Sequence, residues 1–106
     1  MKKTDKKIEN AIRKSLTEVC EIALKDIEGF EWITHHVNYN QFPKSLLITC
    51  VFDTQTALSK LLSSGKEEYL YLLIEDKLGM VNIPINNIRK QVSFDTKEGY
   101  KDKYSA

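Results

Sequence analysis

The segment SLLITCVF at residues 45–52 constrains the fold more than any other part of the chain. Its apolar and β-branched residues are typical of a β-strand. Apolar side chains fall on both faces of such a strand, with Leu46, Ile48, Cys50 and Phe52 on one and Leu47 and Val51 on the other. A strand with two apolar faces is typical of the centre of a sheet. The pattern therefore predicts a central strand that is covered on both sides.

A long amphipathic helix is predicted to precede this strand. Its apolar residues recur at the spacing of one helical face: Ile8, Ile12, Leu16, Val19, Ala23 and Ile27. Thr4 or Asp5 can cap its start, and Gly29 is placed to end it. The aromatic and β-branched segment 30–39 then predicts a strand that pairs antiparallel with 45–52 through a turn at residues 40–44.

Two helices and a third strand are predicted to follow. Asp53 and Thr54 introduce a short helix that stops at residues 63–65. Ser64 and Glu67 have the spacing of a capping box, which predicts a second helix ending at Gly79. A strand over 88–94 and a short C-terminal helix, capped by Asp95, complete the chain. The order α-β-β-α-α-β-α predicts one two-layer α+β domain over residues 1–106, with helices packed on a three-stranded sheet.

Composition excludes several classes of protein. Of 106 residues 42% are hydrophobic and only four are Gly and two Pro, which excludes collagen-like and disordered chains. Cys20 and Cys50 belong to no C-x-x-C pair, so neither a disulfide scaffold nor a zinc ribbon is expected. No apolar run has the length of a membrane helix. We expect a cytoplasmic protein with no membrane contact and no cofactor.

Two resemblances follow from these segments. The order α-β-β-α-α-β, with the small-residue break Ser63-Ser64-Gly65, resembles the type II KH domain of the ribosome-binding factor A family over roughly residues 6–95. That resemblance implies a role near ribosomal RNA. The sequence GKEE at 65–68 departs from the G-x-x-G of a phosphate-clamping KH loop, because Glu67 and Glu68 would repel a phosphate.

The second resemblance covers most of the chain. The stretches TDKKIENAIRKSLTEVCEIAL, GFEWITHHVNYNQFPKSLLITCVFDT and RKQVSFDT resemble short proteobacterial proteins that carry the label "Fis family transcriptional regulator". This resemblance implies a bacterial cytoplasmic protein. The few residues after Phe94 leave no room for a C-terminal helix-turn-helix.

Basic residues concentrate near both ends of the chain, although the net charge is only +1. Such asymmetry favours RNA, DNA or an acidic protein partner, although a solvated helix face produces the same pattern. The turn at 39–44 adds two aromatic side chains that can stack on bases, anchor a protein, or fold back over the hairpin. The candidate binding residues are Lys6, Lys7, Arg13, Lys14, Tyr39, Phe42, Lys44, Arg89 and Lys90.

No catalytic residues are predicted, because the chain contains no nucleophile or nucleotide-binding motif. Asp53 and Asp95 would emerge at the same end of a parallel strand pair, where two acids can hold a cation or share a proton. Each also lies where a helix N-cap belongs. His35 and His36 point to opposite faces of a strand, so we expect one packed histidine, one surface histidine and no metal site. The sequence thus favours a small non-enzymatic binding protein, with a protein-interaction module or a small enzyme or metal protein using Asp53 and Asp95 as alternatives.

Overall fold

The computed structural model describes residues 3–104, with the backbone alone for the last two of these. The helices are α1 (Lys3–Asp26), α2 (Gln55–Ser63), α3 (Glu67–Gly79), α4 (Ile88–Gln91) and α5 (Lys97–Tyr104). The strands are β1 (Phe30–His36), β2 (Leu47–Phe52) and β3 (Val92–Thr96), and a 3₁₀ turn covers Tyr39–Gln41. The predicted α+β fold and its element order are confirmed, apart from the additional helical turn α4 before β3.

The strand order β1-β2-β3 confirms β2 as the central strand. It pairs antiparallel with β1 and parallel with β3. One face of the sheet lies under α1 and α3, and there Ile48, Cys50 and Phe52 are fully buried. Long-range contacts hold α1 against both β1 and α3, so these elements form one core.

Coverage of the opposite sheet face is only partial, which corrects the prediction of a strand covered on both sides. Helix α5 covers the carboxyl end of this face, where the rings of Tyr100 and Trp32 meet edge to face at 5.7 Å. Val51 is buried there, but Leu47 at the other end of β2 is 51% exposed. An eight-residue helix spans about 12 Å, too short to cover the whole sheet.

The strand boundaries differ from the predicted ones at three places. Strand β1 ends at His36 rather than at residue 39, and β2 begins at Leu47. Residues 88–91, predicted as strand, form the helical turn α4, and the strand follows at Val92. The reason is tertiary, because the side chain of Gln91 closes the turn on the N–H of Asn87 and at the same time binds the distant carbonyls of Pro43 and Leu46.

Threonines, not the preceding aspartates, cap α2 and α5, which corrects the predicted caps. The hydroxyl of Thr54 accepts from the N–H of Ala57 at 3.1 Å, and the hydroxyl of Thr96 accepts from the N–H of Gly99 at 3.1 Å. Asp53 is exposed, and the Asp95 carboxylate accepts from the N–H of Thr96. Strand pairing runs through Phe52 in β2 and through Asp95 and Thr96 in β3, so each helix begins only after its threonine.

The predicted capping box at Ser64 and Glu67 is also wrong. Helix α3 begins at Glu67 with Lys66 in the cap position and no side-chain cap. The Ser64 hydroxyl instead donates back to the carbonyl of Leu61. Gly65 has φ +74, a left-handed conformation in which the chain turns from α2 into α3.

Thr54→Ala is expected to lower the free energy of unfolding by about 1 kcal/mol, because it removes the acceptor for the N–H of Ala57. Asp53→Ala is the matched control and should change stability by no more than about 0.5 kcal/mol. Urea denaturation of both variants measures the difference. A larger loss in Asp53→Ala than in Thr54→Ala would restore the aspartate as the cap.

Candidate nucleic-acid interface

One end of the molecule gathers segments that are far apart in the chain. Strand β1 ends there at His36, opposite the start of β2 at Leu47, and β3 starts beside β2 with Val92 opposite Ile48. The amino-terminal third of α1 reaches the same end, because Glu9 contacts both β1 and the following turn. We call this region, made of residues 3–14, 37–46 and 80–91, the basic end.

Hydrogen bonds of the Gln91 side chain connect α4 to the turn at residues 43–46. This side chain is buried, and its Nε2 donates to the carbonyls of Pro43 at 3.2 Å and Leu46 at 3.1 Å. Its Oε1 accepts from the N–H of Asn87 at 3.1 Å. The amide therefore satisfies three backbone groups and fixes α4 beside the turn that contains Lys44. Nothing in the sequence pattern marked this residue.

Hydrogen bonds to the carboxylate of Glu9 connect α1 to the same end. Nε2 of His35 lies 2.7 Å from Oε1 of Glu9, and the Tyr39 hydroxyl donates to the same oxygen at 3.0 Å. Burial alone would raise the pKa of Glu9, but the hydrogen bonds from His35 and Tyr39 and the nearby Arg13 bring it below its ordinary value. Burial and the contact with Glu9 raise the pKa of Tyr39 to about 12. Glu9 is therefore an ionised carboxylate enclosed by donors.

Charge is strongly segregated between this end and the rest of the protein. The basic end holds eight Lys and Arg residues and only two acids, Asp5 and Glu9. The remainder of residues 3–104 holds seven basic residues and thirteen acids. Glu9 is shielded by the donors around it, and Glu68 of α3 pairs with Arg89, so the remaining exposed charges of these segments are mainly lysines.

The exposed lysines of the predicted set lie on three different elements of this end. Lys6, Lys7 and Lys14 are exposed on α1, Lys44 on the turn and Lys90 on α4. Within residues 3–104 none of these five forms an ion pair with a carboxylate. The structure thus places at one end basic residues whose proximity was only a prediction from the sequence.

The two arginines of the predicted set are less available. Arg13 is 73% exposed and lies 3.9 Å from Glu9. Arg89 is bound to Glu68 and lies over the Tyr71 ring at 5.1 Å from its centre. Glu68 also raises the pKa of Arg89 through this surface contact. Both Arg89 and Lys90 are exposed, but only Lys90 has no carboxylate partner among residues 3–104.

The aromatic pair of the turn folds back onto the protein. The Tyr39 hydroxyl is held by Glu9, and Phe42 packs against the core with its ring 6.2 Å from that of Tyr39. Both side chains are half-buried. They support the turn that carries Lys44, and offer little free ring surface for stacking.

The basic residues of the C-terminal helix lie elsewhere. Helix α5 follows Thr96, which is opposite Phe52 at the carboxyl ends of the parallel strands. Lys97 there pairs with Glu31 at 3.6 Å. Lys97 and Lys101 are therefore at the opposite end of the sheet from the basic end and add nothing to its charge.

The aspartates do emerge at one end of the parallel pair, as expected, since Val51 lies opposite Asp95 and Asp53 follows two residues later. Among residues 3–104, however, no group of three or more His, Cys, Asp or Glu side chains is arranged to hold a metal ion. His35 is packed and bonded to Glu9 whereas His36 is exposed, which confirms the expected division between the two histidines. Burial raises the pKa of the Cys50 thiol to about 12, so this buried cysteine is a packing residue.

None of the helices within residues 3–104 has the length and apolar character needed to cross a bilayer. Comparison of the chain with protein-family models, with curated proteins and with solved structures found no match. Any assignment of function therefore depends on the chemistry of the basic end.

Proposed function

We propose that this protein is a small non-enzymatic factor of the bacterial cytoplasm that binds the phosphate backbone of RNA or DNA through its basic end. The observation that carries the proposal is the segregation of charge, with eight basic residues against two acids at this end and seven against thirteen elsewhere in residues 3–104. A surface of this kind attracts a polyanion although the net charge of the whole chain is only +1.

The arrangement on α1 supports contact with successive phosphates. Lys7 and Lys14 are seven residues apart, so they lie on one helical face, separated by about 10 Å. Lys6 adds a cation on the adjoining side of the helix, because consecutive residues do not share a helical face. The turn and α4 place Lys44 and Lys90 at the same end of the sheet, where Gln91 holds them together. Because the backbone that carries these lysines is held in place, binding costs mainly the entropy of their side chains.

The expected contact is with phosphates rather than with bases. Tyr39 and Phe42 are the aromatic side chains of the predicted set, and both are packed against the protein. Binding that relies on lysines reads little sequence and depends steeply on salt. The turn at residues 65–68 takes no part in this proposal, because Glu67 and Glu68 repel phosphates.

The test is fluorescence anisotropy with labelled single-stranded and double-stranded RNA and DNA over a series of salt concentrations. The wild-type protein is expected to bind at low salt and to weaken as salt rises. Lys44→Glu/Lys90→Glu should weaken binding about tenfold or more at low salt and reduce the slope of log K against log salt by about 1–2.

The matched control is Lys60→Glu/Lys101→Glu, which changes the net charge by the same amount at exposed positions outside the basic end. This control should retain most of the affinity and the full salt slope. Equal losses in the two double variants would show that only net charge matters and would refute a binding site at the basic end. Absence of binding by the wild-type protein at low salt would refute the proposal outright and leave an acidic protein as the partner to test.

A further inference from the structure

The outer edge of β1 borders an open groove that shares only Arg13 with the basic end. Strand β1 forms one side of the sheet and pairs only with β2 within residues 3–104. Beside it lies a groove of about 440 Å³ whose lining includes Arg13, Thr17, Cys20 and Glu21 of α1 and residues 33–35 of β1. Thr34 points to the opposite sheet face from its two neighbours, so the groove reaches the backbone at the edge of the strand.

The backbone at this edge has few partners. Among the described residues, 33–35 make no backbone hydrogen bond outside their pairing with β2, and the Cys20 side chain lies beside the backbone of Ile33. Residues 33–36 contain neither Lys nor Pro, which are the residues that commonly protect an edge strand from pairing. The bulge of β1 lies at its other end, between Phe30 and Trp32. The segment 33–36 is therefore a regular stretch of strand that can accept another strand.

We propose that a second copy of this chain occupies the groove, with the two β1 strands paired antiparallel at their edges about a two-fold axis near Thr34. Such pairing joins the two sheets into one of six strands and places the two α1 helices side by side on the same face. Edge pairing about a two-fold axis is an isologous contact, in which the same surface serves both copies.

Charge complementarity favours a second copy over another occupant. Arg13 and Glu21 lie at opposite ends of the α1 wall of the groove, four residues either side of Thr17. The two-fold axis reverses the partner, so Arg13 of each copy comes opposite Glu21 of the partner subunit. The charges outside the groove are complementary as well, because the basic end of one copy lies beside the acidic remainder of the other.

The pairing also covers an exposed apolar side chain. Leu24 is one helical turn beyond Cys20 on the groove side of α1, and it is 54% exposed. Antiparallel packing of the two α1 helices brings this side chain towards the partner and removes apolar surface from water. The inference does not rest on the proposed function: Arg13 belongs to both surfaces, but the lysines of α1, the turn and α4 are not needed for the contact, and association is measured without nucleic acid.

Sedimentation equilibrium over a series of protein concentrations tests the inference with the full chain. The wild-type protein is expected to reach twice the 12.3 kDa mass of one chain as its concentration rises. Glu21→Lys places like charges opposite each other at two symmetric places and should raise the dimer dissociation constant about tenfold or more. Arg13→Glu should have the same effect, and the double variant Arg13→Glu/Glu21→Lys should regain wild-type association.

Mixing the two single variants gives the sharpest control. Each alone meets repulsion at both places, whereas one copy of each restores attraction at both, so a mixture should form heterodimers. Circular dichroism and melting temperature establish that each variant is folded. A wild-type protein that stays monomeric at every concentration would overturn the inference. So would a dimer whose dissociation constant in both single variants is unchanged from that of the wild-type protein, because it would use another surface.

Discussion

Phe52→Ala is expected to lower the free energy of unfolding by about 3–5 kcal/mol, the range observed when a buried Phe is truncated in a close-packed core. Phe52 is fully buried at the end of the central strand. Its ring meets Phe30 edge to face at 5.7 Å and lies 6.4 Å from Phe94. The substitution leaves a cavity between all three strands, and the surrounding side chains can fill it only partly.

Urea denaturation measures this loss, with the m-value showing whether unfolding still exposes the same surface. Leu47→Ala is the matched control on the same strand, where the side chain is 51% exposed. It should cost less than about 1 kcal/mol. A loss at Leu47 as large as that at Phe52 would mean that the second face of the sheet is covered after all.

Gln91→Met is expected to cost about 2–4 kcal/mol. Methionine has a similar size but leaves the carbonyl of Leu46 and the N–H of Asn87 without this partner, whereas the carbonyl of Pro43 still accepts from the N–H of Leu46 at 3.1 Å. A buried backbone group without a hydrogen bond costs about 1–3 kcal/mol. This region is partly open to solvent, so water should hydrogen-bond to some of these groups. The loss of stability should therefore lie at the lower end of the summed costs of the unpaired groups.

Gln55→Met serves as the control, since Gln55 is exposed and its amide makes one 3.4 Å contact with Ser59. Its effect on unfolding should stay within about 0.5 kcal/mol. Gln91→Met should also weaken nucleic-acid binding if the basic end binds as proposed, because α4 and the turn would no longer be held together. Equal stability of the two variants would show that the buried amide of Gln91 contributes nothing to holding the basic end together.

The local pattern was sufficient for the elements that bury a continuous apolar face. Helix α1 was predictable because its apolar residues repeat at helical spacing, and all but Ile8 of that series are buried. The central position of β2 followed from apolar residues on both of its faces. The order of elements then limited the topology, because a hairpin followed by a two-helix crossover leaves few ways to build one sheet.

Features that depend on distant partners could not be read from the sequence. The turn α4 exists because Gln91 bonds backbone groups of residues 43, 46 and 87. The caps of α2 and α5 are threonines because strand pairing runs through Phe52 in β2 and through Asp95 and Thr96 in β3. In both cases the competing local signals were of similar strength, and long-range hydrogen bonds decided between them.

The candidate site also has a part that the sequence predicted and a part that only the structure shows. The sequence by itself determined which residues carry charge, and it marked Lys6, Lys7, Lys14, Lys44 and Lys90 as candidates. Tertiary structure decided that these lysines share one end of the sheet, that Arg89 is engaged by Glu68, and that Lys97 and Lys101 lie at the opposite end. The physical reason is that electrostatic attraction depends on distances in space, and only the packing of α1, the turn and α4 brings charges far apart in sequence close together.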